Sequence, residues 1–205
     1  MADDTQGALP VGNNTDFSKK HPLECKWALW FDNPQTKQTT NKYGQTLRSV
    51  HTFDTVEDFW CLYNNIRTPS QLQPPATFYL FKEHIEPKWE DPKNASGGCW
   101  TASIPNKGQN SKTQLDAWWL NGVLACIGEQ FSEGEEVCGI AVNIRPRGDR
   151  IELWTKTASN EAVQTIIGRE IKQYLDIPDT LKIGYSVFSE KLVTGSGKGK
   201  DRYTV

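Results

Sequence analysis

Between Ile85 and Pro92 the chain reads Ile-Glu-Pro-Lys-Trp-Glu-Asp-Pro, a stretch that leaves the backbone few choices. Pro87 and Pro92 each lack an N–H, and each pushes the residue before it, Glu86 or Asp91, towards extended geometry. The segment therefore cannot be helix. With Glu86, Lys88, Glu90 and Asp91 around a single Trp, it is also too polar for a core strand. What remains is a stiffened loop that presents Trp89 beside Glu90 and closes at Gly97-Gly98-Cys99-Trp100. A tryptophan held next to a carboxylate can stack on a flat cationic ring while the carboxylate accepts hydrogen bonds from the ring's edge. The same Trp89 can equally pin the loop to the core with Glu90 in solvent, since most Trp is largely buried. The rest of the chain has to decide between the two.

At 205 residues the chain is most simply one domain with a real core. A net charge of −2 excludes a globally basic nucleic-acid binder, so any phosphate contact must come from a local basic patch. Eight Trp is many for this length and suggests that some serve faces rather than volume. The five Cys (25, 61, 99, 126, 138) are odd in number, scattered and without a CxxC pair. That pattern reads as reduced thiols in a cytosolic or nuclear protein, with neither zinc nor a disulfide framework, and it implies no metal site. No apolar run approaches a membrane span, and Met1 to Lys20 lacks the apolar core of a signal peptide. The three His stand near no Ser or Cys nucleophile motif, which gives nucleophilic catalysis little support.

Residues 1–20 are polar and read as a disordered tail ahead of a domain spanning 21–205. Leu23, Cys25, Trp27, Leu29 and Phe31 alternate onto one face of a strand, with Trp30 on the other. A polar loop follows to Asn41, and Tyr43-Gly44 lies just before a strand over Leu47 to Phe53. Asp54 to Asp58 carries a cap residue and first-turn acids, predicting a helix that runs to about Ile66. Phe59, Leu62, Tyr63 and Ile66 form its core stripe, while Val56 and Trp60 lie on an adjoining face. Periodicity alone leaves open whether Trp60 extends the core or is exposed for a partner.

Strands are expected over 78–82 and 98–104, with a Gly/Asn/Lys turn to Ser111 and a second helix over Thr113 to Ile127. That helix is apolar around much of its circumference, with Leu120 and Leu124 an extra pair four residues apart. After the strand Val137 to Ile144, the hairpin turn Arg145-Pro146-Arg147-Gly148-Asp149-Arg150 concentrates cations. In the next strand Ile151 and Leu153 alternate with Glu152 and Trp154, so Trp154 points away from the aliphatic side. A third helix is expected from Asn160 to about Leu175, with Ala162, Val163, Ile166, Ile167, Ile171 and Tyr174 buried. A strand over Leu181 to Phe188, a basic loop Gly195 to Lys200 and a short strand Arg202 to Val205 complete the chain. Many hairpin-linked strands with three intervening helices predict an α+β fold, an antiparallel sheet with helices on one face.

The free side of such a sheet would carry Trp154 and the arginine turn, with the Trp89 and Tyr43 loops closing over it. This describes a receptor for a flat cationic base on an anionic chain: aromatic faces stack the base, a carboxylate reads its edge, arginines hold phosphates.

At this point the chain resembles the eukaryotic translation initiation factor 4E family of messenger-RNA cap-binding proteins. The resemblance spans about Lys20 to Val205. It is carried by His21-Pro22-Leu23, Trp27 to Phe31, Phe53 to Trp60, Ile85 to Pro92, Ile127-Gly128-Glu129, Val142 to Arg145, Gly148-Asp149, Leu153-Trp154-Thr155 and Ile167-Gly168-Arg169. It implies a cup-shaped antiparallel sheet of about eight strands, backed by three helices on its convex face, that binds the 7-methylguanosine cap of mRNA without a cofactor. By resemblance Trp89 is one stacking face, Glu90 accepts from the ring edge, Trp154 contacts the 7-methyl, and Arg145, Arg147 and Arg150 meet the phosphates. His21, Pro22, Val56, Trp60, Leu120, Asn121 and Leu124 match the convex surface on which initiation scaffolds and repressors dock a tyrosine-and-leucine helical motif; this favours an exposed Trp60.

Four positions depart from the family pattern. Tyr43 stands for the second stacking tryptophan, and Cys99 for the basic residue after the double glycine. Asn121 replaces the acidic residue after Trp119-Leu120, and Gly197, beside Ser196, takes the place of a regulatory serine. Two rivals are a cap-cleaving hydrolase, which would need an acidic metal cluster where Glu135-Glu136 reads as a solvated turn, and a cap-binding repressor unable to recruit the scaffold. Trp60 argues against the second and Asn121 leaves it open.

Overall fold

The structure, a computed structural model, describes residues 19–34, 46–104, 110–190 and 200–205. Most of the expected tail, Tyr43-Gly44, the turn at 105–109, Ser196 and Gly197 lie outside the described residues. Strands β1 (Pro22–Asp32), β2 (Arg48–Thr55), β3 (Ala76–Lys82), β4 (Gly98–Ile104), β5 (Val137–Ile144), β6 (Asp149–Thr155), β7 (Gly184–Val187) and β8 (Tyr203–Thr204) form one open, curved sheet in the order β2-β1-β3-β5-β6-β4-β7-β8. Every ladder in it is antiparallel. Helices α1 (Val56–Asn65), α2 (Ser111–Ile127) and α3 (Glu161–Tyr174) cover one side.

Period-two alternation sorts the strand residues cleanly. Trp27 and Leu29, Phe78 and Leu80, Trp100 and Ala102, Ile140 and Val142, and Ile151 and Leu153 join the helices in the main core. Tyr79, Phe81, Cys99, Ala141 and Trp154 form a second apolar cluster on the opposite face, with Trp30 and Trp89 packed against it. The expected separation of Trp30 from Trp27 and Leu29, and of Trp154 from Ile151 and Leu153, is therefore present.

The first helix starts within the expected Asp54 to Asp58 segment, and two other element readings need correction. That helix starts at Val56, because β2 continues through Asp54 to Thr55. Thr55 sits at φ −131°, ψ 155°, the extended geometry an N-cap uses, so the strand runs straight into the helix. Its hydroxyl accepts from the Asp58 N–H at 3.2 Å, and Glu57 and Asp58 supply first-turn acids that favour the helix dipole. In α3, Ala162 and Ile166 are exposed, Ile166 to 42 %, and the buried stripe is Gln164, Ile167, Gly168 and Ile171. Gln164 can occupy a core position because both ends of its amide are used. Thr155 Oγ1 donates to its oxygen at 2.9 Å, and its nitrogen donates to the Thr157 carbonyl at 3.1 Å. Once Gln164 faces inward, the 100° step per residue turns Ile166 outward.

The expected last long strand is reduced to Gly184–Val187, the segment that pairs with Gly98 to Thr101, while Leu181 is 37 % exposed in a turn.

Candidate functional site

The sheet face opposite α1, α2 and α3 is a floor made of cross-strand rows. Phe81, Gly139, Trp154, Cys99 and Ser186 are paired in succession across β3, β5, β6, β4 and β7. Two residues along, Trp30, Tyr79, Ala141, Glu152 and Thr101 form the next row. Two further on come Asp32, Thr77, Asn143, Arg150 and Ser103. The face thus grades from aromatic to charged within three rungs. Trp154 is only 2 % exposed; Phe81 and Tyr79 meet it edge-on at 5.3 and 6.3 Å, and Phe188 lies at 4.4 Å. Cys99 is fully buried beside it, so the departure there is a packing residue of the floor.

The Trp89 loop stands at the aromatic end. Asn94, fully buried, donates to the carbonyls of Glu86 and Lys88, both at 2.8 Å. Asp91 accepts from the Glu86 N–H at 3.0 Å and the Lys93 N–H at 2.8 Å. These bonds do what strand pairing cannot do in a segment broken by two prolines. Trp89 is half-buried, nearly parallel to Phe188 at 6.2 Å and 17°, and Glu90 is exposed. Trp89 anchors the loop on the second cluster, yet keeps surface in solvent. The base of the loop is equally tight, since a Cβ on Gly97 would stand 1.9 Å from the Thr155 carbonyl oxygen. Asn94→Ala is expected to remove one of the two hydrogen bonds that each of the Glu86 and Lys88 carbonyls accepts, the Lys88 and Asp91 N–H groups supplying the others, and to lower stability by about 1–3 kcal/mol. A thermal melt, with amide exchange over residues 86–95, checks it.

The arginine turn stands at the charged end. Asp149 accepts from the Arg145 N–H at 2.9 Å, and Gly148 adopts φ 147°, a geometry that favours glycine. Arg145 is half-buried. Its guanidinium donates to the carbonyls of Ala76 and Ile144, to Thr77 Oγ1 and to Asn143 Oδ1, at 2.7–3.1 Å. Arg147 is exposed, and Arg150 pairs with Glu152 at 3.0 Å. Asn143 Oδ1 is fixed by Arg145, so its buried amide nitrogen must face away, and that nitrogen has no acceptor among the described residues. Trp154 Nε1 is a second buried donor without one.

A sequence model described as "Eukaryotic initiation factor 4E" matches residues 22–203. The chain belongs to that family. Initiation factor 4E-1 of rice is 47 % identical over 205 residues, covering 100 % of this chain and 86 % of the relative. Solved structures of initiation factor 4E-3 are similar as well. That of C. elegans, with the 4E-binding protein Mextli and a cap analog, has a TM-score of 0.81 at 39 % identity, covering 91 % of this chain and 100 % of the other. That of Ascaris suum with an m2,2,7G cap has a TM-score of 0.81 at 40 % identity, covering 91 % and 99 %. That family is one of translation factors, not of cap-cleaving enzymes.

On the helical side, Val56 and Trp60 are each 36 % exposed, among the most exposed large apolar side chains of the described residues. Leu120 and Leu124 are half-buried against the main core, and Asn121 is exposed. The approach to α1 is clamped: the Val56 N–H donates to the His21 carbonyl at 2.9 Å, and the His21 N–H donates to Glu57 at 2.8 Å. The His21 ring lies 2.6 Å from the same carboxylate and, with that N–H, holds the Glu57 carboxyl down to about 2. Pro22, also exposed, pairs with Thr55 at the start of β1. No helix of the described residues is long and apolar enough to cross a membrane, and no metal-binding cluster occurs among them. None of the five cysteines is in a disulfide; burial pushes the thiols of Cys25 and Cys138 up to about 11 and 12.

Asn94, Phe188 and Glu152 escaped the sequence reading. Asn94 follows the second proline closely enough to suggest a clamp, and Glu152 shares a strand face with Trp154. Nothing local marks Phe188.

Proposed function

We propose that the protein binds the 7-methylguanosine 5′ cap of mRNA on the sheet face opposite α1, α2 and α3 and recruits an initiation scaffold through its helical face. One observation carries the reading: a clamped loop presenting half-exposed Trp89 and exposed Glu90 adjoins the aromatic end of a floor whose opposite end carries the arginine turn. The methylated base is flat and cationic. It would stack on Trp89, with Tyr43 as the second and smaller face, while Glu90 accepts from its ring edge. Trp154 would meet the methyl group from the floor. Two buried donors without acceptors, Trp154 Nε1 and Asn143 Nδ2, are groups that a bound ligand or its water can satisfy. Arg147 and Arg150 would approach the phosphates. Arg145, engaged with four acceptors, would contribute fixed positive charge rather than a freely turning fork.

Residues 21–205 form the cap-binding domain on this reading. On the helical side, His21, Pro22, Val56, Trp60, Leu120, Asn121 and Leu124 would receive the tyrosine-and-leucine helix of scaffold or repressor proteins. The similarity to 4E-3 proteins solved with a cap and with Mextli supports both halves. A cytoplasmic location, with a nuclear pool, fits this role and agrees with five cysteines outside any disulfide.

The protein is expected to stay on immobilised 7-methyl-GTP in the presence of EDTA and to be released by free 7-methyl-GTP but not by GTP. Equal release by the two nucleotides would overturn the reading, as would consumption of the cap analogue.

A further inference from the structure

We infer that Glu152 is a specificity-determining residue, a buried carboxylate on the floor that positions Arg150 and offsets its charge, so that the turn grips phosphates less strongly than its three arginines suggest. The inference rests on the proposed cap site and concerns how that site weighs the phosphate chain against the base.

Glu152 is 9 % exposed and lies two residues before Trp154 on the same strand face. Its cross-strand neighbours are Ala141 and Thr101, and its row continues through Tyr79 to Trp30. None of these side chains is a cation that would call for a carboxylate there. The nearest positive charge is Arg150, one step along the strand, whose Nε lies 3.0 Å from Glu152 Oε1. The contact is an ion pair more than a hydrogen bond, because Arg150 Nε is not aligned on any acceptor among the described residues. The two side chains keep 30 % and 11 % of their surface, so solvent screens them far less than an exposed pair.

An ion pair sunk in a sheet face is seldom the cheapest way to stabilise a fold, since desolvating two charges offsets most of their attraction. Its persistence here points to the ligand surface it occupies. Three cations in one turn form a strong anion trap. Glu152 cancels one of them at the rung next to the base site, leaving Arg147 exposed and Arg145 as a fixed charge. The carboxylate also lies on the floor beneath a base that is itself cationic, where negative charge is favourable. Both effects shift recognition from the phosphate chain towards the methylated base.

The experiment measures affinities of 7-methyl-GMP, 7-methyl-GDP and 7-methyl-GTP at 50 and 200 mM salt for wild type, Glu152→Gln and Glu152→Ala. Glutamine keeps the shape and an acceptor for Arg150 while removing the charge; alanine, set beside Ala141 and Thr101, guards against a misplaced amide. The gain from mono- to triphosphate should grow roughly tenfold in both variants, and the salt slope for the triphosphate should steepen by about one. Adding Arg150→Gln to Glu152→Gln should return both quantities to wild-type values or below. Wild-type cap binding with the same increments and slopes in all variants would overturn this inference and leave the cap reading standing. Failure of wild type to prefer methylated over unmethylated nucleotide would overturn both. A thermal melt of each variant identifies any that does not fold, and the remaining variant then decides.

Discussion

Trp89→Ala is expected to weaken binding of 7-methyl-GTP by about ten- to a hundredfold while shifting the melting temperature by no more than a few degrees. Stacking of one base on one aromatic face is worth about 1–3 kcal/mol, and the cationic base adds to the attraction. The small thermal effect follows from where the ring sits. Trp89 is half-buried on a loop whose shape is held by Asn94 and Asp91, and its ring lies against Phe188 of the second cluster. Trp154→Ala should behave differently although its ring is assigned to the same proposed site. That ring is 2 % exposed among Tyr79, Phe81 and Phe188, so truncation opens a cavity costing about 3–5 kcal/mol. For a chain of this length such a loss lowers the melting temperature by roughly 6–20 °C. Fluorescence titration with 7-methyl-GTP beside a thermal melt separates the two. Unchanged cap affinity in Trp89→Ala would remove the loop from the site, and an unshifted melt in Trp154→Ala would show that its packing contributes little.

The contrast also marks how far the sequence could be read. Alternation along single strands was legible, because the pleat has a strict period of two; it separated Trp30 from Trp27 and Leu29, and Trp154 from Leu153. The prolines of the Trp89 loop identified a non-helical, non-strand segment for the same local reason. What alternation cannot show is which residues stand across from one another. Glu152 reads from sequence as an ordinary polar strand residue. It becomes a buried charge only when β5 and β4 set Ala141 and Thr101 beside it. Phe188 reaches Trp154 through the pairing of β7 with β4, which no spacing in the chain announces. The misplacement of Ile166 has the same origin. Five aliphatic residues on one helix outweighed Gln164 on hydropathy, but Thr155 and Thr157 on a neighbouring segment satisfy the glutamine amide and fix the helix's rotation. The arginines of the turn were legible as a cationic cluster. How differently they are engaged was not, since two of the four acceptors of Arg145 come from Ala76 and Thr77 on β3.

Trp60→Ala is expected to abolish binding of a helical peptide carrying the tyrosine-and-leucine motif, with cap affinity unchanged. A tryptophan on a helix that keeps 36 % of its surface in solvent needs a reason, and bracing supplies half of one. Phe59 lies 4.9 Å from the Trp60 ring, and Tyr63 meets it nearly edge-on at 5.9 Å and 85°, so the ring is held in place without being covered. A preformed aromatic anchor loses little rotamer freedom when a partner closes over it, which is how interface hot spots reach about 2–4 kcal/mol on truncation. Val56, equally exposed one turn earlier, extends the same apolar surface. Glu57 and Asp58, between these two residues, are occupied by His21 and Lys20, so the first turn of α1 is fixed against the start of β1 before any partner arrives. The peptide therefore meets a rigid ridge, and removing the indole should cost roughly thirty- to a thousandfold in affinity. Cap affinity should not follow, because Trp60 and the floor residues lie on opposite sides of the sheet with the main core between them. Calorimetry with peptide and cap analogue on the same preparations tests both statements. Equal peptide affinity in mutant and wild type would mean that the scaffold helix docks elsewhere. A parallel loss of cap affinity would show that the two faces communicate through the sheet, and that Trp60 acts on more than its own partner.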